Sequence, residues 1–152
     1  MPDSGQVLAL RAILKIQQAA LGEALTPDAI MARIAQSAVA ITSAKGAVME
    51  VIEGDQMRYA HGAGSLEGTE GLRLSIATSL SGLAVTQNQA LRSDDAFADP
   101  RVDHDAAMRI WARSMVIVPL TVDGATLAVL KTVSDDVQAF TDHDVEIVTT
   151  LA

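Results

Sequence analysis

An acidic stretch, residues 94–105, has the side chains to bind a metal ion or to line a ligand pocket. It holds five aspartates: Asp94, Asp95, Asp99, Asp103 and Asp105. The stretch lacks the alternating oxygen ligands, the glycine and the terminal glutamate of a calcium-binding loop, so we expect no metal. A solvated loop whose aspartates cap turns and the next helix is the alternative. Asp94 and Asp95 directly follow an apolar segment and are therefore the better candidates for a pocket wall.

A second candidate site surrounds Trp111, the only tryptophan in the chain. Arg109 and Arg113 flank it, and Ser114 begins an apolar segment. An indole and a guanidinium together can stack on a planar ligand and anchor an anionic one. The alternative is that Trp111 covers one face of a sheet while both arginines are solvated. If a pocket binds a ligand here, we expect Arg109, Trp111 and Ser114 to contact it.

The residue types present exclude several chemistries. The chain has no cysteine, which excludes thiol nucleophiles, thiolate metal sites and disulfides. His61, His104 and His143 lack the i, i+4 spacing of a helical metal site. A single histidine, His61 or His104, could ligate haem, but we do not expect it. No serine lies in a nucleophile-elbow pattern, so we predict that the chain is not an enzyme.

Composition and charge narrow the class of protein further. The chain has 11 Lys and Arg residues against 19 Asp and Glu residues, a formal net charge of −8. An acidic chain binds phosphate backbones poorly, so we expect no nucleic-acid partner. No apolar run approaches the ~20 residues of a membrane span, and the N-terminus lacks the features of a signal peptide. With 49% apolar residues, the 152-residue chain is predicted to be a single folded cytoplasmic domain.

Three segments have the pattern of longer helices. Residues 6–21 carry apolar side chains at heptad spacing, which fits a helix packed on its own domain or a pairing helix. Thr26, directly before a proline, begins a second helix that should end before Lys45. Thr141 caps the last helix, with Asp144 three residues on as a capping box. This helix still continues where the sequence ends, so we expect the chain to be a fragment of a longer protein.

Strands are predicted between the second helix and the last. Four segments have strand-like patterns: residues 47–52, 56–61, 114–122 and 125–133. The last two flank Asp123-Gly124, the dipeptide that type I′ turns favour. A glycine-rich loop and short elements lie between the two hairpins, among them a helix capped by Thr78 or Ser79. The order predicts an α+β fold, an antiparallel sheet with helices packed on it.

Several motifs follow one another in the order found in one family of sensory modules. They are Ser79-Leu80-Ser81-Gly82-Leu83-Ala84, Leu91-Arg92-Ser93-Asp94-Asp95, Asp99-Pro100-Arg101, Arg113-Ser114-Met115-Val116-Ile117-Val118-Pro119-Leu120, Asp123-Gly124, and Phe140-Thr141-Asp142-His143-Asp144. Residues 26–152 thereby resemble a GAF domain, a small-molecule sensory module of signalling proteins. The resemblance implies a GAF-like (PAS-like) antiparallel sheet of five or six strands, with helices on one face and short helices over a pocket on the other. The ligand contacts expected in that pocket are Thr78, Asp94, Asp95, Arg109, Trp111 and Ser114.

The resemblance also suggests activities that the chain should lack. Cyclic-nucleotide-binding members carry an Asn-Lys…Phe-x-x-x-Asp-Glu signature, which this chain matches only at Lys131, Phe140 and Asp144. We interpret this half-match as structural, with the Lys131 ammonium paired to the Asp144 carboxylate. Members that attach a bilin or reduce free methionine sulfoxide use cysteine. This chain has none, so we expect neither a covalent bilin nor the reductase chemistry.

From these observations we predict a domain organisation and a function. Residues 1–25 would form a dimerisation or signalling helix, and residues 26–152 a GAF domain with a truncated last helix. The chain would be a non-catalytic sensory domain of a bacterial-type sensor kinase or cyclic-dinucleotide enzyme, and binding of an unidentified small molecule would act on a C-terminal output domain. The alternative is a ligand-free dimerisation and relay module. In either case we expect a homodimer formed through residues 6–21 and 145–151.

Overall fold

Six antiparallel strands form one sheet in the computed structural model, which describes residues 26–152. The strands are β1 (Gly46–Glu53), β2 (Gln56–Gly64), β3 (Arg73–Ser75), β4 (Leu91–Ser93), β5 (Ser114–Val122) and β6 (Ala125–Ser134). They lie side by side in the order β3–β2–β1–β6–β5–β4, and all neighbouring pairs are antiparallel. The two hairpins predicted from the sequence therefore meet at the centre of the sheet, where β1 pairs with β6.

The helices in the described range begin at polar capping residues. They are α1 (Pro27–Ile41), α2 (Leu80–Gln87), α3 (His104–Arg109) and α4 (Asp142–Leu151). Thr26 Oγ1 accepts a hydrogen bond from the Ala29 amide at 3.1 Å, and Thr141 and Asp144 form the predicted capping box. Such caps satisfy amide groups that the first helical turn leaves without a partner. Local sequence chemistry thus sets where α1 and α4 begin.

The β5–β6 hairpin turns at Asp123 and Gly124, as predicted. Both have positive φ angles, +51° and +80°, which a type I′ turn requires at its two central positions. The register of β5 against β6 shifts between Leu120 and Thr121, one residue beyond Pro119. A proline cannot donate a ladder hydrogen bond, so an irregularity close to it is expected.

The sheet has two different faces because side chains alternate along each strand. Helices α1 and α4 cover the first, here called the α1/α4 face, where Met49 and Leu130 belong to a core with Ile34 and Val148. Helices α2 and α3 cover the opposite α2/α3 face, whose core contains Val48, Met57, Tyr59, Leu80, Ala107, Ile117 and Val129. The predicted layering of longer helices on one face and short helices on the other is confirmed.

The structure confirms the predicted α+β, GAF-like antiparallel fold, and its sheet has six strands where five or six were predicted. The helix predicted for residues 6–21 lies outside the described residues, so the division at residue 25 and the dimer through the terminal helices remain predictions. From residue 26 to residue 152, the chain has no helix both long enough and apolar enough to cross a membrane.

Candidate ligand-binding site

Four polar side chains meet inside the protein, beneath α2. Alternation along β1 places Glu50 on the same face as Val48, and alternation along β6 places Lys131 on the same face as Val129. Val48 pairs with Lys131 in the register of β1 and β6. Glu50, two residues along β1 from Val48, therefore lies on the neighbouring strand close to Lys131. Strand pairing between distant parts of the sequence thereby brings a cation and a carboxylate together on the α2/α3 face.

The contacts among these side chains are direct. Lys131 Nζ lies 3.2 Å from Glu50 Oε2 and donates a hydrogen bond to the Tyr59 hydroxyl at 3.0 Å. Ser81 Oγ donates a hydrogen bond to Glu50 Oε2 at 2.9 Å. Glu50, Tyr59, Ser81 and Lys131 are together called the buried polar cluster below.

A glycine in α2 allows Ser81 to reach this cluster. A Cβ atom at Gly82 would lie only 1.9 Å from the Ile76 carbonyl oxygen, so only glycine permits so close an approach of the helix. Glycine weakens a helix by up to about 1 kcal/mol relative to alanine. Close packing of α2, which places Ser81 over Glu50, accounts for this weak helix former in the sequence.

The buried polar cluster is almost completely removed from solvent. Glu50 is 0% exposed and Lys131 is 3% exposed. Burial alone would lower the pKa of Lys131, but the Glu50 carboxylate and the Tyr59 hydroxyl outweigh it, and the pKa is raised above its ordinary value. Burial raises the pKa of Tyr59, which keeps its hydroxyl protonated near neutral pH. The cluster therefore presents an ammonium, a neutral phenol and a carboxylate in an apolar surrounding.

One carboxylate oxygen of the cluster is left without a partner. Glu50 Oε1 is buried and has no hydrogen-bond partner among the described residues. A cavity of about 10 Å³, close to the room that one water molecule needs, lies in the same region. Its lining residues include Tyr59, Ser81, Asp103, Ile110 and Lys131. The cluster thus has an unused acceptor on Glu50, and its other three residues, Tyr59, Ser81 and Lys131, line a cavity.

The predicted pairing of Lys131 with Asp144 is wrong. The Asp144 carboxylate accepts a hydrogen bond from the Thr141 amide at 2.9 Å, at the start of α4. Helix α4 packs on the α1/α4 face, whereas the Lys131 side chain points to the α2/α3 face. The sheet itself separates the two groups, and Glu50 is the partner of Lys131 instead.

The sequence-predicted contacts Thr78, Asp94, Asp95 and Ser114 lie apart from the buried polar cluster. Thr78 is exposed and precedes Ser79, which caps α2. Asp94 and Asp95 are also exposed, and the Asp94 carboxylate lies 3.3 Å from the Arg92 side chain. Ser114 is buried, and its hydroxyl donates to a backbone carbonyl in the loop after β6 at 2.7 Å. None of the four lines the buried cavity or the two open clefts beside Trp111.

Arg109 and Trp111 do lie together. Both line an open cleft of about 400 Å³ at the end of α3, with Thr69 and Glu70 on its other side. Trp111 is 59% exposed, so it does not cover a sheet face. Arg113 is turned away from this cleft and lies over the Phe97 ring, 4.8 Å from its centroid. Of the six residues predicted to contact a ligand, the structure thus brings two, Arg109 and Trp111, to the same cleft.

Sequence reasoning missed Glu50, Tyr59 and Ser81. Glu50 interrupts the apolar strand β1 in the same way that Lys131 interrupts β6. Buried charges of opposite sign usually pair. One charged residue in each of two apolar strands could therefore have been used to predict that Glu50 and Lys131 form an ion pair. Tyr59 and Ser81 have no comparable pattern, because their role depends on the packing of β2 and α2.

Comparisons with known proteins place this fold among both enzymes and signalling domains. Free methionine-R-sulfoxide reductase of Neisseria meningitidis, solved with its substrate, has a TM-score of 0.79 at 20% identity, covering 99% of this chain and 87% of that chain. The type II reductase of Thermoplasma acidophilum has a TM-score of 0.67 at 19% identity, covering 95% and 89%. The GAF domain of a Coxiella burnetii phosphoenolpyruvate-protein phosphotransferase has a TM-score of 0.80 at 14% identity, covering 98% and 90%. No curated protein sequence matches the chain.

These similarities correct the functional prediction. The similar structures include reductases, which are enzymes, so the prediction of a non-catalytic sensory domain and the prediction that the chain is not an enzyme are wrong. The prediction that the chain is not an enzyme took the absence of cysteine and of a nucleophile-elbow pattern as arguments against catalysis. In a sheet of this topology, functional groups come from separate strands and helices, as the buried polar cluster illustrates. A family model of the GAF domain matches residues 24–152, and the chain therefore belongs to the GAF domain family.

Proposed function

We propose that the buried polar cluster recognises a small zwitterion of the free amino acid class. The observation that carries this proposal is the pair of opposite charges beneath α2, in which Glu50 Oε1 has no partner and Lys131 lines a cavity. A buried ion pair is weak support for stability, because well-packed apolar residues in its place are often as stable or more so. Binding of a ligand that itself carries both charges would account for the buried ion pair of Glu50 and Lys131.

The two charges are complementary to the two ends of an amino acid. The Lys131 ammonium can receive the ligand carboxylate, and the free Glu50 Oε1 can accept hydrogen bonds from the ligand ammonium. Charge-assisted hydrogen bonds of this kind are stronger than neutral ones, and more so in an apolar surrounding. The Tyr59 hydroxyl, which accepts from Lys131, holds the ammonium in position.

Ligand entry requires movement of the layer above the cluster. A cavity of about 10 Å³ is far smaller than any amino acid. The cavity wall includes Ala106 and Ala107 of α3, a helix of only six residues. Short elements with few buried contacts open at low free energy. We therefore expect α3 to move outward when the ligand binds.

Free methionine sulfoxide is the first candidate ligand. Reductases of similar fold act on it, and it carries the ammonium and the carboxylate that the cluster is suited to bind. This chain has no cysteine, so any reduction of the bound sulfoxide would need thiols from a second molecule. Two such thiols would become a disulfide while the sulfoxide oxygen leaves as water.

Isothermal titration calorimetry with free L-methionine-R-sulfoxide tests this proposal. We expect saturable binding that weakens at least tenfold with the N-acetyl derivative, which lacks the ammonium, and with the methyl ester, which lacks the carboxylate. The double variant Glu50→Gln/Lys131→Met should not bind, and it should fold because neither charge is left alone.

Thr132→Val provides the matched control, since Thr132 is the next residue of β6, is also buried, and points to the opposite face. Its binding should equal that of the unchanged chain. Binding of the sulfoxide by the double variant with unaltered affinity, or no binding by the unchanged chain, would overturn the proposal.

A further inference from the structure

Helix α3 ends in a conformation that its sequence does not favour. The Trp111 amide donates to the Met108 carbonyl at 3.2 Å, and the Ala112 amide donates to the Ala107 carbonyl at 2.9 Å. These two bonds form a Schellman motif, whose C′ residue adopts the left-handed conformation and is usually glycine. The C′ residue here is Trp111, with a φ angle of +52°. A bulky aromatic side chain in this conformation is a true outlier.

The end of α2 shows the same motif with a residue that suits it. The Asn88 amide donates to the Val85 carbonyl at 3.2 Å, and the Gln89 amide donates to the Ala84 carbonyl at 3.2 Å. Asn88, with a φ angle of +51°, is one of the few non-glycine residues that tolerate the left-handed region. The backbone of this motif therefore needs no tryptophan, and Trp111 requires an explanation other than helix capping.

The indole is held in position but remains open to solvent. Its ring packs edge-on against Phe97, with 5.3 Å between the ring centroids. Open clefts of about 400 Å³ and 340 Å³ meet at Trp111, and these volumes are typical of small-molecule sites. A strained backbone that presents an exposed aromatic face to a cleft is a typical arrangement of a binding site.

Each cleft beside Trp111 has one cation and one carboxylate in its wall, Arg109 and Glu70 in the larger and Lys45 and Asp135 in the smaller. Arg109 lines the larger cleft and forms no ion pair with another residue in the range 26–152. Glu70 lines it too, but its carboxylate accepts a hydrogen bond from the Gly62 amide at 3.1 Å. Backbone hydrogen bonds, the first of them from its own amide, lower the pKa of Glu70. The lowered pKa keeps Glu70 ionised, with its carboxylate held by backbone amides. The Arg109 guanidinium has no such partner in the described range and remains available for a ligand.

We propose that Trp111 and Arg109 form a second binding site, distinct from the buried polar cluster, for a planar aromatic carboxylate. The aromatic ring of the ligand stacks on the indole, and its carboxylate pairs with the Arg109 guanidinium. Ile110 lines both this cleft and the buried cavity. Ligand binding in one site can therefore affect the other through movement of Ile110.

Intrinsic fluorescence tests this proposal, because Trp111 is the only tryptophan in the chain. The probes are benzoate and benzamide, which share a planar ring but differ in charge. We expect saturable quenching by benzoate and at least tenfold weaker binding of benzamide. Arg109→Gln should reduce benzoate affinity to that of benzamide. Equal binding of the two probes, or no quenching by either, would overturn the proposal.

A glycine variant separates a ligand-binding role from a structural one. Trp111→Gly relieves the left-handed strain, so we expect it to unfold at a higher urea concentration than the unchanged chain while losing benzoate binding by calorimetry. A clear loss of stability would show that the indole is retained for its packing on Phe97. Unchanged benzoate affinity in this variant would equally contradict the second site.

Discussion

The two faces of the sheet are built from the same strands but hold different kinds of residue. On the α1/α4 face, aliphatic residues, alanines and Phe140 form the core, and the buried Asp144 there serves the cap of α4. On the α2/α3 face, a buried cation and carboxylate lie within an otherwise apolar core. Alternation of side chains along a strand lets one sheet carry an apolar core on one side and a buried polar cluster on the other.

The largest expected effect is the loss of the Lys131 charge alone. Lys131→Met leaves the Glu50 carboxylate buried without a counter-ion, which we expect to lower the free energy of unfolding by about 3–5 kcal/mol. The double variant Glu50→Gln/Lys131→Met should recover most of that loss. Urea unfolding measures both variants. A single variant as stable as the double one would show that the ion pair is not desolvated as described.

A comparable loss on the other face should leave binding intact. Leu130→Ala removes a fully buried side chain of the α1/α4 face, so we expect a loss of about 2–4 kcal/mol in urea unfolding. Affinity for methionine sulfoxide should stay within about twofold of the unchanged chain. A tenfold loss of affinity would mean that the two faces are not independent.

The Tyr59 hydroxyl should have a smaller effect on stability. Tyr59→Phe removes a hydrogen-bond acceptor of the buried Lys131 ammonium, which we expect to cost about 1–2 kcal/mol in urea unfolding. The same change should weaken methionine sulfoxide binding, since it frees Lys131 to move. Unchanged binding would indicate that Tyr59 serves stability only.

The smallest effect concerns pH, at the edge of the α2/α3 layer. Hydrogen bonds from the Arg101 side chain hold the pKa of Asp99 well below its usual range, against the opposing effect of burial. A lowered native pKa gives stability above the unfolded pKa of about 4 that is lost as pH falls below it. Asp99→Asn should therefore show a smaller drop in urea midpoint between pH 6 and pH 3 than the unchanged chain, on the order of tenths of a molar. The exposed Asp95→Asn provides the control, and an equal change in both variants would refute this role of Asp99.

Much of the fold could be predicted because its determinants are local. Asp123-Gly124 specifies its own turn, and Thr141 with Asp144 specifies the start of α4, within a few residues of sequence. The site could not be read in the same way. Glu50 and Lys131 meet only through the register of β1 on β6, and Trp111 occupies a conformation that sequence rules assign to glycine. Functional sites are where such local rules most often fail.

Chemical-shift mapping by NMR tests the central claim most directly. Free L-methionine-R-sulfoxide is titrated into uniformly ¹⁵N-labelled protein. The account predicts saturable shifts in the amides of α2 and α3, including Ser81 and Ala107, while those of α1 and the middle of α4 stay unchanged. Shifts confined to the α1/α4 layer, or no shifts at saturating ligand, would contradict it.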